Sequence, residues 1–235
     1  MTSLEPGDRR LVLFDIDGTL LSAAGVSATA LREALVEHFG TEGTLVGYDY
    51  SGKTDPQIVR ELMRGAGFDE EAIGSRMELA LGGYLRRLRE RLRPDHVTAK
   101  PGVVAMVRAL AADPGVTLGL LTGNLEAGAR IKVEPLGLNE MFPFGAYGSD
   151  HEDRHRLPAV AVERALAHTG HHFQGKRVVI VGDSIHDVRC GRSLGVRAVA
   201  VATGITASAT LAAEEPDALL ADCSDLDVAL RAVLG

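Results

Sequence analysis

Leu11-Val-Leu-Phe-Asp15-Ile-Asp17-Gly18-Thr19-Leu20 is a wholly apolar run that ends in two carboxylates, a glycine and a threonine. A run that is apolar along its length, rather than alternating, suits a strand covered on both faces, as in a parallel sheet. Residues 116–121, 177–181 and 196–201 repeat the pattern. Helical periodicity lies between these runs. Val103, Val107 and Leu110 share a face, and a further helix begins at Pro158, with proline in its first turn. The alternation predicts an α/β fold, a Rossmann-like doubly wound parallel sheet.

One interval breaks the rhythm. From about residue 22 to 94 the sequence predicts helices and no strand. Residues 26–39 place Leu31, Leu35 and Phe39 on one face. Residues 55–64 carry Pro56 at an early position. Residues 69–93 set Ile73, Met77, Leu81, Leu85, Leu88 and Leu92 at helical spacing, beside a dense arginine cluster at 86–93. The expected organisation is a core of residues 1–21 and 95–235 interrupted by an all-helical insert, residues 22–94. No internal repeat or low-complexity tract is present.

Bulk composition sets the limits. The 235 residues are 46% hydrophobic and 24% charged, an ordinary globular balance. Tryptophan is absent and aromatics make up 4%, so the core is aliphatic. A net charge of −7 argues against a general nucleic-acid binder. It does not exclude an anionic substrate, because a bound metal or a few local cations can reverse the local field. Cys190 and Cys223 form no metal or disulfide pattern and read as reduced thiols. The N-terminus lacks a signal-peptide apolar core, and no apolar stretch reaches the roughly 20 residues that span a bilayer. A soluble, cytoplasmic protein is expected.

In an open parallel sheet, reactive groups gather at the carboxyl ends of strands. Four such places stand out. Asp15 and Asp17, two apart, invite Mg²⁺, since burying two anions without a cation is costly. Gly18 would allow a tight turn that exposes N–H groups to an anion. A capping aspartate in a strand-to-helix loop is the plain alternative. Thr122-Gly123-Asn124 follows the second run and can hold phosphate oxygens, or act as an ordinary helix cap. Gly182-Asp183-Ser184-Ile-His186-Asp187 supplies two more carboxylates, Asp183 for direct metal ligation and Asp187 in support. The fourth place is basic, with Arg154 and Arg156 in a loop before the helix at Pro158. A charged surface loop is the competing explanation there.

Taken in order, Asp-x-Asp-Gly-Thr, Thr-Gly-Asn, a basic residue and Gly-Asp-Ser-x-x-Asp resemble the haloacid dehalogenase (HAD) superfamily, in particular its phosphoglycolate-phosphatase-like branch. The resemblance covers nearly the whole chain, and the helical interval looks like that superfamily's cap. It implies that Asp15 attacks phosphorus to form an aspartyl-phosphate. Asp17 would protonate the leaving oxygen and then deprotonate the hydrolytic water. Mg²⁺ would sit on the Asp15 carboxylate, the Asp17 backbone carbonyl and Asp183, with Asp187 orienting that shell. Thr122 and Gly123, with Asn124 beside them, would hold the transferring group. The family's usual lysine is missing from the basic segment, so Arg154 or Arg156 must substitute. Arg154 is favoured because Arg156 sits closer to the next helix.

Other readings stay open at this level. A dehalogenase lacks the second aspartate of the first motif, which Asp17 supplies here. A phosphomutase resembling β-phosphoglucomutase shares nucleophile, metal and cap. Gly47-Tyr-Asp-Tyr-Ser-Gly52-Lys53-Thr54 matches a Walker A pattern, yet lacks a proper strand before it and falls inside the helical insert. A loop facing the active site, with Lys53 reaching a substrate anion, fits that stretch better than a P-loop nucleotide binder; a solvated lysine on a plain turn is the other option. A non-catalytic binding protein would normally lose one of the acidic residues. Among the histidines only His186 lies near the expected site. The expected partner is a small phosphorylated metabolite, not nucleic acid or membrane, bound by a monomer or homodimer.

Overall fold

The first apolar run becomes the centre of the sheet because its side chains have no exposed face to offer. Leu11, Val12, Leu13 and Phe14 are completely buried. They alternate between two core clusters, Val12 and Phe14 on one face and Leu11 and Leu13 on the other. The structure is a computed structural model and describes residues 9–45 and 47–235. The N-terminal stretch read above for a signal peptide and the start of the expected core segment 1–21 fall on residues 1–8, outside the described residues, as does Val46.

In chain order the first half comprises β1 (Arg10–Phe14), β2 (Leu21–Ser22), α1 (Val26–Phe39), α2 (Asp55–Gly65), α3 (Glu70–Arg91), β3 (Thr98–Ala99), α4 (Val103–Ala111) and β4 (Val116–Leu121). The second half comprises α5 (Glu126–Val133), β5 (Gly145–Ala146), α6 (Leu157–Thr169), β6 (Val178–Gly182), α7 (Ile185–Ser193), β7 (Arg197–Val201), α8 (Ser208–Ala213), β8 (Ala218–Leu220) and α9 (Leu226–Leu234). Six strands form one parallel sheet in the order β5-β4-β1-β6-β7-β8. Residues of α4, α5 and α9 pack on one face, and residues of α6 pack on the other. The doubly wound parallel sheet expected from the sequence is the observed fold. From β1 the chain passes to β4 and β5 on one side and then crosses from β5 to β6 on the other, so the strand order reverses at β1 and a crevice opens at the carboxyl ends there.

The interval between β2 and β3 is occupied by α1, α2 and α3, with α1 and α3 packed together. Leu31, Leu35 and Phe39 face inward as their spacing predicts. The inward face of α3 is rotated from the expected one. Ile73, Ala80, Tyr84 and Leu88 are buried, while Met77, Leu81 and Leu85 are only partly so. The arginine cluster pairs with acids on α1: Arg91 lies 2.6 Å from Glu33, Arg86 3.3 Å from Glu37, and Arg87 contacts both glutamates. Such exposed pairs contribute at most about 1 kcal/mol each, and they identify this cluster as a helix-to-helix surface seam.

Sequence periodicity overlooked the short strands. β2 and β3 form an antiparallel ribbon, Leu21 opposite Ala99, through which the chain leaves and re-enters the sheet layer. β5 and β8, of two and three residues, are too short to show a pattern. No helix among the described residues is long and apolar enough to cross a membrane.

Candidate active site

Asp15 follows β1 directly and is buried. It lies with Asp183 and Asp187, both just past β6, in a cluster whose ligand-capable atoms are within 4.8 Å of one another. Backbone shape makes this approach possible. Gly18 has φ +89°, and a Cβ there would collide with the Asp183 carboxylate, as would one at Gly204. Thr19 Oγ1 donates to Asp183 Oδ1 at 2.8 Å. Asp187 closes a capping box at the start of α7, accepting from Ser184 Oγ at 2.6 Å and Ser184 N at 3.1 Å. Its other oxygen receives Arg154. Asp15 and Asp183 line the cavity at the strand ends, whereas Asp187 stands behind them.

Arg154 and Arg156, equivalent by spacing alone, separate cleanly. Arg154 is buried, with Nη2 3.1 Å from Asp15 Oδ1 and also paired with Asp187. Arg156 is exposed at the surface. Gly18 departs from the sequence expectation: its N–H is not presented to an anion but donates to Leu21 O at 2.8 Å, closing the turn.

Asp17 also departs from the idea of two carboxylates sharing a metal side by side. Its carboxylate points away from the acidic cluster. Oδ2 accepts from Asn124 Nδ2 at 2.7 Å and from Lys132 Nζ at 2.7 Å. Asn124 Nδ2 also donates to Thr122 Oγ1 at 2.8 Å, and Thr122 is fully buried. Thr122, Gly123 and Asn124 all line the cavity. Gly123 has a second duty, because a Cβ there would meet the Lys53 carbonyl of the helical layer.

Two charged residues escaped the sequence reading. Lys132 is buried on α5 beside Gly128, Ala129 and Val133. A lysine on the apolar face of a helix is the signal that could have found it. Asp55, the first residue of α2, is buried and accepts from Leu125 N at 2.8 Å, while its own N–H donates to Gly123 O at 2.8 Å. Burial raises its pKa to about 6, with Lys132 pulling the other way.

Lys53 lines the cavity, yet its ammonium is 2.6 Å from Glu61 Oε2 and 4.2 Å from the centre of the Tyr48 ring. Thr54 caps α2 by accepting from Gln57 N, and it donates to Glu152 O at 2.7 Å. The element before this segment is α1, not a strand, so the Walker A match is a helix entry and not a phosphate loop. Gly52 sits against His186 and Ser184, which places this loop over the end of β6. His186 is half-buried beneath it, and burial lowers its pKa.

The geometry and electrostatics of the acidic cluster are those of a group that could hold a cation. Burial raises Asp15 to about 6 in spite of Arg154, and burial together with Asp15 and Asp187 raises Asp183 to about 8. Buried all-oxygen donors that resist ionisation when alone fit a hard divalent ion. The sign of the pH effect follows. Both folded pKa values lie above the ordinary carboxylate value. The stability these groups contribute is therefore fully present below about pH 4 and is lost as pH rises through about 6 and about 8. Metal-free protein should melt at a higher temperature at pH 6 than at pH 8.5. Mg²⁺ at a hundred times its Kd should add about 2.7 kcal/mol, or roughly 5–10 °C, with the larger gain at pH 8.5. Differential scanning fluorimetry with and without EDTA reads both effects.

These groups surround a cavity of about 540 Å³ walled by the strand ends below and the helical layer above. The chain belongs to the haloacid dehalogenase-like hydrolases, whose family pattern matches residues 12–201. It is 29% identical over 231 residues to a phosphoglycolate phosphatase of Chromobacterium violaceum, covering 92% of this chain and 96% of that protein. It is 27% identical over 223 residues to a phosphoglycolate phosphatase of Synechococcus elongatus, covering 92% and 94%. Among solved structures, a hydrolase from Pseudomonas syringae shares the fold with a TM-score of 0.70 at 20% identity, covering 95% of this chain and 98% of that one. Family and fold together agree with a hydrolase of this class and not with a P-loop nucleotide binder, and both relatives bear the name of a phosphatase.

Proposed function

We propose that this protein is a Mg²⁺-dependent phosphatase that hydrolyses the phosphate monoester of a small metabolite through an aspartyl-phosphate on Asp15. One observation supports this above all: Asp15 is held at the cavity floor with a guanidinium 3.1 Å away and Asp183 in the same acidic cluster. Asp15, Asp183 and the backbone carbonyl of Asp17 would hold the ion, with Asp187 in support. When bound, Mg²⁺ supplies positive charge that offsets the carboxylates and the phosphate oxygens.

The chain's own residues do the rest. An oxygen of Asp15 forms a bond to phosphorus as the bond to the leaving oxygen breaks. Asp17 gives that oxygen its proton, then takes one from the water that attacks the aspartyl-phosphate, releasing phosphate, freeing the Asp15 carboxylate and returning Asp17 to its protonated form. Thr122, Gly123 and Asn124 border the transferring group, and Arg154 opposes its charge. Lys53 is held by Glu61 in this arrangement, so contact with a substrate anion requires it to exchange partners. The Asp17 side chain is 46% exposed, so water reaches the acid–base group. That access favours hydrolysis over the phosphoryl retention that a mutase needs.

Residues 22–94 act as a cap over the core segments 1–21 and 95–235, selecting small esters and limiting water once substrate is bound. Phosphoglycolate, the substrate in the relatives' names, is one candidate beside sugar phosphates and nucleoside monophosphates. The enzyme is taken to be cytoplasmic and a monomer or homodimer. Turnover of p-nitrophenyl phosphate and a panel of metabolite phosphates should appear with Mg²⁺ and vanish on chelation. Failure to hydrolyse any ester in the presence of Mg²⁺ would overturn the assignment.

A further inference from the structure

We infer that Lys132 is a positioning residue for the proton-transfer step, fixing Asp17 so that one oxygen is anchored and the other is presented to the leaving group. The inference rests on the phosphatase reading of Asp17. Lys132 Nζ lies 2.7 Å from Asp17 Oδ2 and 2.6 Å from Asn124 Oδ1, and Asn124 Nδ2 returns to the same Asp17 oxygen at 2.7 Å. The three side chains form a closed triangle. Both donors fall on Oδ2, and no described residue donates to Oδ1. Oδ1 is thus the oxygen free to carry the proton.

Burial makes a purely structural role uneconomical. The Lys132 side chain is 4% exposed, whereas its partner Asp17 is 46% exposed. Lys132 also draws on buried Asp55, which already accepts from Leu125 N, but its direct ion pair is with half-solvated Asp17, and desolvating a lysine for such a pair returns little stability. What the lysine adds is a rigid anchor for one carboxylate, reached from α5 across 115 positions of sequence. General acid catalysis depends on such alignment, because the donor must lie within hydrogen-bond reach of the departing oxygen.

The test compares two esters. A p-nitrophenolate departs without help from an acid, whereas an alkoxide must be protonated as its bond breaks. The quantity to read is kcat/KM, which ends at aspartyl-phosphate formation and excludes the later step in which Asp17 acts as base. Lys132→Met should lower kcat/KM on a primary alkyl phosphate about 100-fold and on p-nitrophenyl phosphate less than about 10-fold. In an Asp17→Asn background the same substitution should add almost nothing. Equal losses on both esters, no loss, or additive losses would overturn the inference. If Lys132→Met fails to fold by circular dichroism, Lys132→Gln replaces it and is read in the same way. Wild-type turnover of neither ester would instead reject the phosphatase reading, and this inference with it.

Discussion

Asp15→Asn should reduce metal-dependent phosphatase kcat/KM by about 10⁴-fold or more while leaving the protein folded. The amide keeps the shape of the carboxylate and can still accept from Arg154, which retains Asp187 as a partner. What the amide lacks is a nucleophilic oxygen, so no aspartyl-phosphate can form. A loss of this size with unchanged circular dichroism would separate chemistry from folding. Acid-quenched wild-type enzyme with a radiolabelled ester should retain label, and the variant should not. Activity within about tenfold of wild type in purified Asp15→Asn would rule out covalent catalysis at this residue.

Asp15 was readable because it ends a run of buried residues, and burial on both faces leaves a periodicity of its own. The same reasoning located the ends of β4 and β6, hence Thr122 and Asp183. Each lies immediately after a strand, so position along the chain fixes position in space. The helices over the sheet end were legible for a similar reason: α1 runs over Val26–Phe39, the expected span. Local signals also explain Asp187, whose capping box with Ser184 is written within four residues.

What escaped detection depends on contacts between segments remote in sequence. β5 pairs with β4 through two residues, Gly145 and Ala146, and no pattern can show in so short a piece. Asp17 meets Lys132 across 115 positions, and Asp55 meets the N–H of Leu125 across 70. Nothing in a stretch such as Arg-Ile-Lys-Val announces which carboxylate its lysine will find. Gly18 was misjudged for the opposite reason. Its freedom at φ +89° is used to close a turn and admit Asp183, not to offer an N–H to an anion. Lys53 shows how a motif match can mislead when its context is helical, since its ammonium is held by Glu61, two turns further along the chain.

The choice between two arginines, which spacing did not settle although Arg154 was favoured, gives the second large expected effect. Arg154→Met should destabilise the protein by about 3–5 kcal/mol at neutral pH, because it leaves buried Asp15 and Asp187 without their cation. For a chain of this length that is a fall in Tm of roughly 10 °C. The fall should shrink toward pH 5, where Asp15, already raised to about 6 with Arg154 present, takes up a proton more readily still. Saturating Mg²⁺ should recover part of the stability, since it supplies charge to the same cluster. Activity should drop by about 10³-fold even in the folded fraction, as a cation opposing the phosphoryl oxygens is lost. Arg154 reaches both carboxylates through one nitrogen, Nη2, while its buried Nε has no hydrogen-bond partner among the described residues. A guanidinium fork is therefore not what this position uses, and a point charge can serve. Arg154→Lys should keep most of the stability and lose no more than about tenfold in kcat/KM, whereas Arg156→Ala, at an exposed site, should change neither. Equal damage from the lysine and methionine variants would mean that guanidinium geometry, and not charge, is what Asp15 requires.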